Sequence, residues 1–353
     1  MVRVMVVFGG RSGEHDVSLA SARALMEALA RDGRHEVVPV GITREGRWIS
    51  SGEPMKELES MREHPPDGSD LETSVSGPPA PAGEKLPAGL GSVDVVFPVL
   101  HGPYGEDGTI QGMLELAGIP YVGSGVLGSA AAMDKPTMKK IFAHHNLPQV
   151  EWLGLIRKGW EREREAWIRR IEGSLGYPCF VKPANLGSSV GIGRAEDAGE
   201  LATALDVAAE FDRRLIVEEG LDAREIEVSV LGNEDPEVSV SGEIVVKKEG
   251  FYNYEAKYVE GGMELVVPAE VPEETAAEIR RIAATAYEAV DAAGMARVDF
   301  FLERGTGRLL LNEINTIPGF TPTSVYAELW TASGLPYEDL LDRLIQLALE
   351  RHG

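Results

Sequence analysis

The first 42 residues alternate between two kinds of hydrophobic pattern. Residues 2–8, "VRVMVVF", and 35–42, "HEVVPVGI", are short apolar runs, and "VSLASARALMEALARDG" between them carries apolar residues at helical spacing. The glycine-rich turn "GGRSGEHD" joins the first run to the helix. Strand, helix and strand in this order predict a βαβ unit and a parallel sheet. The later runs "VDVVFPVLHG" and "IPYVGSG" predict two more buried strands.

The pattern changes from residue 177 onward. Short β-rich runs, among them "PCFVKPA", "RLIVEEG" and "EIEVSVLG", follow one another with amphipathic helices between them. Such runs indicate hairpins and mixed or antiparallel sheets rather than further βαβ units. The segment "EVPEETAAEIRRIAATAYEAVDAAG" predicts a helix, because Ile279, Ala283 and Ala286 lie at helical spacing with charged residues opposite. We therefore expect an α/β unit followed by an α+β part.

Loops and helix starts suggest domain boundaries. Residues 51–92 are dense in proline and glycine and predict a loop-rich excursion, apart from a helix near "MKELESMRE". The helix "KPTMKKIFAHHN" opens with Pro136 in its first turn, where proline is favoured. We predict an N-terminal domain over residues 1–134, a central lobe over 135–218 and a C-terminal lobe over 219–353. Two or three domains suit a chain of 353 residues.

Charge and cysteine content restrict the partners. With 57 acidic and 34 basic side chains the formal net charge is −23, which argues against nucleic acid or an anionic membrane as the main partner. The opening residues lack the apolar core of an export signal, and no apolar run approaches the roughly 20 residues that span a bilayer. The single cysteine, Cys179, lies in an apolar run and is predicted to be a core residue. We expect a cytoplasmic protein that acts on small molecules.

Two glycine motifs suggest other functions and need a structural test. "GSGVLG", Gly123 to Gly128, matches the dinucleotide-binding pattern, but three predicted strands precede it, so a tight turn and close packing explain its glycines better. "GSSVG" places Ser189 in a serine-hydrolase pattern, but the segment after it is strand-like, whereas a nucleophile elbow leads into a helix. The pair His144 and His145 lies late in a helix and predicts a surface or core role. The charged run "WEREREAWIRRIE" predicts a solvated helix face.

The segment "ARVDFFLERGTGRLLLNEIN" predicts a hairpin with polar side chains at one end. A turn centred on Thr306 would place Asp299 opposite Glu313 and Arg297 opposite Asn315. Opposed like charges destabilise a sheet by up to about 1 kcal/mol, and a divalent cation would reverse that sign. The all-oxygen set Asp299, Glu313 and Asn315 suits Mg²⁺ or Mn²⁺. The alternative is that Asp299 pairs with Arg297 or Arg308 and that the strand merely ends in polar residues.

Strand alternation assigns faces within this hairpin. Arg297 and Asp299 would share one face, and Leu309, Leu311, Glu313 and Asn315 would share one face of the second strand. Asn312 would then point to the opposite face, without a chemical role.

A magnesium site of this kind implies a nucleotide, because Mg²⁺ shares its remaining ligand positions with substrate phosphates. Lys182 precedes the loop "ANLGSSVGIG", whose N–H groups and hydroxyls could fold over phosphates. Lys135 and Lys257 are two further candidate phosphate ligands. In "LIVEEGLDAREIEV", carboxylates such as Glu218 and Glu225 could accept hydrogen bonds from adenine or ribose. His101 ends a strand beside the glycine-rich loop "GPYGEDG" and is another candidate site residue.

Eight motifs in a fixed order carry a family resemblance. "MDKPTMK", "FVKPANLGSSVGIG", "IVEEGLDAREIEV", "YEAKY", "RVDFF" and "NEINTIPGFTPTS" resemble the ATP-grasp superfamily. Together with "FGGRSGEHDVSL" and "LHGPYGEDGTIQG", they resemble the D-alanine:D-alanine ligase family along the chain, apart from residues 51–92 and 156–172. The resemblance implies a Rossmann-like pre-ATP-grasp domain, followed by a two-lobed ATP-grasp fold with ATP between the lobes.

The same resemblance implies the reaction. ATP would phosphorylate the carboxylate of one D-alanine, and the amine of a second D-alanine would displace the phosphate to form the dipeptide used for peptidoglycan precursors. It further implies two Mg²⁺ or Mn²⁺ ions and a homodimer. Two alternatives stay open, namely a ligase that accepts D-lactate or D-serine as second substrate, and a non-catalytic ATP-binding regulator. Tyr258 favours the peptide product, because depsipeptide-forming relatives usually lack a tyrosine there.

Site residues follow from the resemblance by position. Glu14 would bind the ammonium of the first D-alanine beside His101, and Glu14, Ser188 and Tyr258 would form a triad. Arg297 and the Gly319 N–H group would stabilise the oxyanion. The other implied residues are Lys135, Lys182 and Lys257 at the phosphates, Glu218, Glu219 and Leu221 at the adenine, Glu225 at the ribose, Ser324 and Val325 at the second D-alanine, and Asp299, Glu313 and Asn315 at the metal.

Overall fold

The computed structural model describes residues 1–63, 90–188, 190–246 and 263–353. Ser189 and the predicted site residues Lys257 and Tyr258 lie outside the described residues. No helix in the described ranges is long and apolar enough to cross a membrane.

The N-terminal sheet is parallel at its centre, as the βαβ pattern predicts. β1 pairs in parallel with β2 on one side and β4 on the other, and β3 adds to β2 in antiparallel orientation. The predicted helix near "MKELESMRE" is present as α2. The elements are β1 Val2–Gly9, α1 His15–Asp32, β2 His35–Ile42, β3 Trp48–Ile49, α2 Pro54–Glu63, β4 Val95–Val99, α3 Thr109–Ala117, α4 Val126–Met133 and α5 Lys135–His144.

The prediction of a strand in "IPYVGSG" is wrong. Only one bridge forms there, between Val96 and Tyr121. Pro120 has no N–H group to continue a ladder, and Gly123, with φ of 97°, turns the chain away toward α4.

A second, fully antiparallel sheet follows in the order β5-β8-β6-β7. Cys179 is buried in it, as predicted, and burial raises the pKa of its thiol to about 11. The charged run is largely solvated, but Trp160 is fully buried and donates to Asp206 at 2.9 Å. The elements are β5 Trp152–Ile156, α6 Arg157–Arg162, α7 Arg164–Ser174, β6 Cys179–Pro183, β7 Gly193–Ala195, α8 Ala198–Phe211 and β8 Arg214–Glu219.

The third sheet has the antiparallel order β12-β11-β9-β13-β14, with β10 paired to β9. The predicted helix is present as α9, whose buried Ile279 and Ala283 pack on Val228 and Val298 of the sheet. The elements are β9 Ala223–Gly232, β10 Glu237–Val238, β11 Gly242–Val246, β12 Met263–Val266, α9 Glu273–Ala289, β13 Gly294–Glu303 and β14 Leu309–Asn315.

Two C-terminal helices, α10 Val325–Ala332 and α11 Tyr337–His352, return to the first sheet. Leu340 and Leu344 of α11 share one core with Val6 and Phe97. The loop of residues 316–324 lies beside α1, since the Phe320 N–H donates to Ser21 Oγ of that helix. Apart from Glu219 at the end of β8, each sheet lies within one of the three predicted domain ranges, and the boundaries themselves stay a prediction.

Candidate active site

A cavity of about 800 Å³ lies between the second and third sheets. Phe180, Ile192 and Phe301 contribute apolar surface to its wall, and its volume is in the range of small-molecule sites. Of the predicted site residues, those that line it are Lys135, Lys182, Ser188, Glu218, Glu219, Leu221, Glu225, Asp299 and Glu313.

Three carboxylates form a row across the third sheet. Asp299 on β13 pairs with Glu313 on β14, and Arg297 pairs with Asn315, so the predicted register of this end is confirmed. On its other side Asp299 pairs with Glu227 on β9. Glu227 was not among the predicted site residues, although the alternation of "EIEV" places it on the same face as Glu225.

A β-bulge at Asn312 corrects the predicted faces of this hairpin. The register shifts between Asp299 and Phe300, so nearer the turn Phe300 pairs with Leu311. Leu309 and Leu311 lie in the core with Ile314, whereas Glu313 lines the cavity. The expectation that Leu309, Leu311, Glu313 and Asn315 share one face is therefore wrong. Asn312 also lines the cavity rather than the opposite face.

The Arg297 guanidinium neutralises part of the carboxylate row. Its Nε and Nη2 donate to the two carboxylate oxygens of Asp299, each at 2.7 Å, and Nε lies 2.9 Å from Glu227 Oε2. Burial alone would lower the pKa of Arg297, but the two carboxylates outweigh it and raise that pKa well above its ordinary value. The arrangement is thus a fixed positive charge at the edge of the cavity. The Asp299–Arg297 pair, considered above as the alternative to a metal, is present.

The lysines implicated in phosphate binding are held by acidic partners. Lys135 Nζ donates to the Leu186 carbonyl at 3.0 Å and lies 3.3 Å from Glu313 Oε2. Lys182 Nζ lies 2.5 Å from Glu218 Oε2. Both carboxylate partners also line the cavity. A phosphate that binds here would therefore replace Glu313 and Glu218 as the ion-pair partners of Lys135 and Lys182.

Glu218 has a second cationic partner that was not predicted from the sequence. Lys139 Nζ lies 2.9 Å from Glu218 Oε1. Burial would raise the pKa of Glu218, but Lys139 and Lys182 outweigh it and lower that pKa to about 2. The signal in the sequence was the spacing of Lys135 and Lys139, which are one helical turn apart on α5.

Glu14 joins the N-terminal turn to the glycine loop of the second sheet. Its Oε1 accepts a hydrogen bond from the Ser188 hydroxyl. Ser188 has φ of 49°, a conformation that non-glycine residues rarely adopt and that clusters at functional sites. A Cβ atom on Gly102 would lie 2.7 Å from Glu14 Oε2, and one on Gly187 would lie 3.1 Å away. Both glycines therefore leave room for this carboxylate.

His101 is buried and holds the loop of residues 316–324. Its Nδ1 lies 3.0 Å from the Ile317 carbonyl, which can only accept, so Nδ1 is the donor and Nε2 accepts from Ser21 Oγ at 3.4 Å. Burial lowers the pKa of His101 and outweighs the nearby Glu14, which fits a neutral ring. Ser21 Oγ in turn accepts from the Phe320 N–H at 3.2 Å.

The residues assigned to the second substrate lie together on this loop. Ser324 Oγ accepts from the Thr321 N–H at 2.9 Å, and Val325 begins α10. A Cβ atom on Gly319 would lie 3.4 Å from Ser324 Oγ. Gly319 and Ser324 are thus neighbours at the N-terminus of a helix, where anions are favoured.

Comparisons with known proteins agree with the order of the motifs. A family model described as "D-ala D-ala ligase N-terminus" matches residues 3–124, and "D-ala D-ala ligase C-terminus" matches residues 141–346. The D-alanine–D-alanine ligase of Bacillus cytotoxicus is 48% identical over 99% of this chain and 96% of the relative. The chain belongs to the D-alanine–D-alanine ligase family. A ligase of the same name from Thermoanaerobacter pseudethanolicus is 50% identical, over 99% of this chain and 97% of the relative.

Solved structures give the fold of this ligase family member. The D-alanine–D-alanine ligase of Coxiella burnetii matches with a TM-score of 0.79 and 33% identity over 100% of this chain and 96% of its own. The VanG D-Ala:D-Ser ligase of Enterococcus faecalis matches with a TM-score of 0.80 and 36% identity, over 98% and 99%. The predicted fold class, a parallel N-terminal sheet followed by a two-lobed ATP-grasp fold, is confirmed.

The donor chemistry of the ligase site fits a hard divalent cation. Asp299, Glu313 and Asn315 supply only oxygen atoms, the ligands that Mg²⁺ prefers, although Asn315 Oδ1 also accepts from the Ile317 N–H at 3.0 Å. In the part of the chain that the structure describes, no three acidic or histidine side chains converge as a preformed metal centre. The Arg297 guanidinium contacts Asp299 and Glu227 of the carboxylate row. A divalent cation would neutralise the negative charge that remains in that row.

β8 ends at Glu219, and Gly220 and Leu221 follow in the linker to β9. The structure shows what each residue does here. Glu219 Oε1 accepts from the Glu151 N–H at 3.0 Å, and the Gly220 N–H donates to the Pro178 carbonyl at 2.8 Å. A Cβ atom on Gly220 would lie 2.7 Å from that same carbonyl oxygen. The linker backbone is thus tied to the residue that precedes β6, the neighbour of β8 in the same sheet.

Replacing Gly220 with alanine is expected to destabilise the ligase by about 1 to 3 kcal/mol, because the new methyl group has no room. The matched control is Gly173→Ala, since Gly173 is an exposed helical glycine with open space around its Cβ position. That control should raise the free energy of unfolding by about 0.5 to 1 kcal/mol. Urea denaturation measures both variants, and equal effects of the same sign would show that the close approach to Pro178 is unimportant.

The glycine motif "GSGVLG" and the pair His144 and His145 have structural explanations. A Cβ atom on Gly128 would lie 2.4 Å from the Asp291 carbonyl oxygen, so close packing accounts for this glycine, as predicted. His144 and His145 are exposed at the end of α5, also within the predicted roles. Ser189 lies outside the described residues, so the hydrolase pattern is untested by geometry.

Proposed function

We propose that the protein joins two D-alanine molecules to D-alanyl-D-alanine, with ATP converted to ADP and phosphate. The observation that carries the proposal is one cavity that combines the carboxylate row, the cations Lys135 and Lys182, and a glycine loop whose Ser188 bonds Glu14. A nucleotide phosphate and an amino-acid substrate would meet at that junction. The family comparisons support the same activity.

The order of the chemistry follows from the reactivity of carboxylates. A carboxylate resists attack by an amine because neither oxygen is a good leaving group. The γ-phosphoryl group is therefore transferred first to an oxygen of one D-alanine, and ADP leaves. The ammonium group of the second D-alanine then loses a proton to solvent, and the resulting amine attacks the carbonyl carbon to give a tetrahedral intermediate. Its collapse breaks the C–O bond to phosphate, and the nitrogen releases a second proton as the amide forms. The products are an amide and inorganic phosphate.

The chain's own residues supply binding and charge stabilisation. Glu14 would bind the first substrate's ammonium, and neutral His101 holds the loop that completes this subsite. Arg297 and the Gly319 N–H group would stabilise the oxyanion of the tetrahedral intermediate as preorganised donors. Ser324 and Val325, at the start of α10, would receive the second carboxylate.

The nucleotide would lie along the cavity. Lys135 and Lys182 would contact phosphates, while Glu218, Leu221 and Glu225 would contact the adenine and ribose. Asp299, Glu313 and Asn315 would hold Mg²⁺, which when bound neutralises charge on the transferring phosphates. Lys257 and Tyr258 keep their predicted roles, outside the described residues. Two metal ions, a homodimer and a cytoplasmic location likewise stay predictions.

Phosphate release with purified protein, ATP and Mg²⁺ tests the assignment. D-alanine alone should support release and yield the dipeptide, because one amino acid fills both subsites. L-alanine should give only the background rate. When D-lactate or D-serine is added to D-alanine, the product that joins D-alanine to the added compound should form in a smaller amount than D-alanyl-D-alanine. A mixed product that dominates would favour the alternative ligases, and release with L-alanine only would overturn the substrate.

A further inference from the structure

Helix α5 carries two lysines toward the nucleotide cavity, and they differ in what they can reach. Lys135 lines the cavity, but Lys139 is absent from its lining, and its side chain is only 1% exposed. Lys139 Nζ lies 2.9 Å from Glu218 Oε1, and its pKa is lowered, chiefly by burial. A buried ammonium is costly unless it is paired. Lys139 thus forms an ion pair with Glu218 and does not contact the space in which a ligand would bind.

Glu218 is contacted by two lysines although one would balance its charge. Lys182 Nζ is 2.5 Å from Glu218 Oε2 and the Lys182 side chain is 12% exposed on the cavity side, whereas that of Glu218 is 3% exposed. Lys182 is therefore the partner that can turn toward a ligand. When it does so, Glu218 would be left as a buried unpaired carboxylate if no second cation were present.

We propose that Lys139 is a positioning residue, the permanent counter-ion of Glu218 that releases Lys182 to the nucleotide phosphates. The inference rests on the proposed nucleotide site and adds a residue that does not touch the nucleotide. The exchange needs no net change of buried charge. Glu218 keeps one cation throughout, and Lys182 moves from a carboxylate to a phosphate oxygen.

The variant Lys139→Met removes the charge and keeps a long side chain. With one lysine left for Glu218, Lys182 should stay on the carboxylate, and the Kd for MgADP should rise roughly 10- to 100-fold, in line with couplings between residues of one network. In the turnover assay the KM for ATP should rise more than the KM for D-alanine. Lys140→Met is the matched control, because Lys140 is the adjacent exposed lysine on α5, and it should leave the Kd unchanged.

A double-mutant cycle separates this role from the others. In the Glu218→Gln background the carboxylate is gone, so the further change Lys139→Met should alter the Kd for MgADP by less than about 3-fold. An equally large effect in both backgrounds would mean that Lys139 acts on the nucleotide itself, and would overturn the proposal. A lowered melting temperature with unchanged Kd in Lys139→Met would reduce Lys139 to a structural role and would equally overturn the proposal.

Two further measurements keep the test decisive. Lys139→Arg retains the charge and should keep the Kd within a few-fold of the parent, even if Lys139→Met folds poorly; a loss as large as in Lys139→Met would count against the counter-ion role. Titration of the unaltered protein with MgADP comes first and needs no turnover. No binding there would overturn the proposed nucleotide site, whereas binding without the predicted cycle would overturn this inference alone.

Discussion

Replacing Arg297 with alanine is expected to lower kcat for dipeptide formation by about 10²- to 10³-fold, the loss seen when one preorganised oxyanion donor is removed. The guanidinium is buried and fixed by three short contacts to Asp299 and Glu227. It would therefore act on the charge that develops at the carbonyl without having to reorganise. Phosphate release under saturating D-alanine and ATP measures the effect.

The matched control for this change is Arg308→Ala, since Arg308 belongs to the same hairpin but its side chain is 50% exposed. That variant should retain nearly the parental kcat. MgADP binding by Arg297→Ala should stay within about 10-fold of the parent, because the assigned role is in the acyl transfer step; thermal melting confirms that the variant is folded. Unchanged turnover would refute the role given to Arg297.

The double variant Asp299→Asn with Glu313→Gln is expected to abolish Mg²⁺-dependent turnover. It preserves side-chain shape and removes two of the three negative charges in the row, so direct oxygen ligands become neutral amides. Because loss of outer-shell partners alone costs about 10- to 100-fold in metal affinity, the apparent affinity for Mg²⁺ should fall at least 100-fold. The phosphate-release assay measures the loss of turnover, and a titration of Mg²⁺ followed by ADP binding measures the metal affinity.

A control for nonspecific charge effects is available on the same hairpin. Glu303→Gln changes a carboxylate near the turn that pairs with Arg308 at 3.3 Å, away from the row, and it should leave the Mg²⁺ dependence unaltered. Thermal melting with and without MgADP supplies a readout that does not need turnover. Full activity of the double variant would remove the metal role from this hairpin.

The parts of the site that could be predicted from the sequence lie within one hairpin or within motifs that occur in a fixed order along the chain. The predicted pair of Asp299 and Glu313 is present, but a turn centred on Thr306 does not produce it. Leu302 pairs with Leu309 nearer the turn, one position away from the predicted register, and the bulge at Asn312 restores the predicted pairing. Glu14 and Ser188, separated by 174 positions, come together as the family resemblance implied. Motifs in order could predict this contact, whereas composition and periodicity alone could not.

What escaped prediction depends on contacts across sheets and helices. Glu227 reaches the carboxylate row only because β13 pairs with β9 as well as with β14, and no local pattern specifies that neighbour. The spacing of Lys135 and Lys139 places both on one side of α5, but only the fold shows that Glu218 lies beside Lys139. Trp160 likewise looked solvated among charges, yet it is buried through packing with residues far along the chain. Burial is a property of the assembled fold, so one segment seldom reveals it.

Asn312 is an extra residue in β14, and the alternation of side chains between the two faces shifts by one position there. Leu309 and Leu311 are odd-numbered and buried in the core, while Glu313 and Asn315 are also odd-numbered and belong to the opposite face. A search for one continuous alternation would therefore assign half of the strand to the wrong side. The core residues and the polar site residues of one strand can follow two separate alternations, because a single extra residue between them shifts the second alternation by one position. Inserting or deleting one residue at this position would therefore move every following side chain of β14 to the opposite face of the sheet.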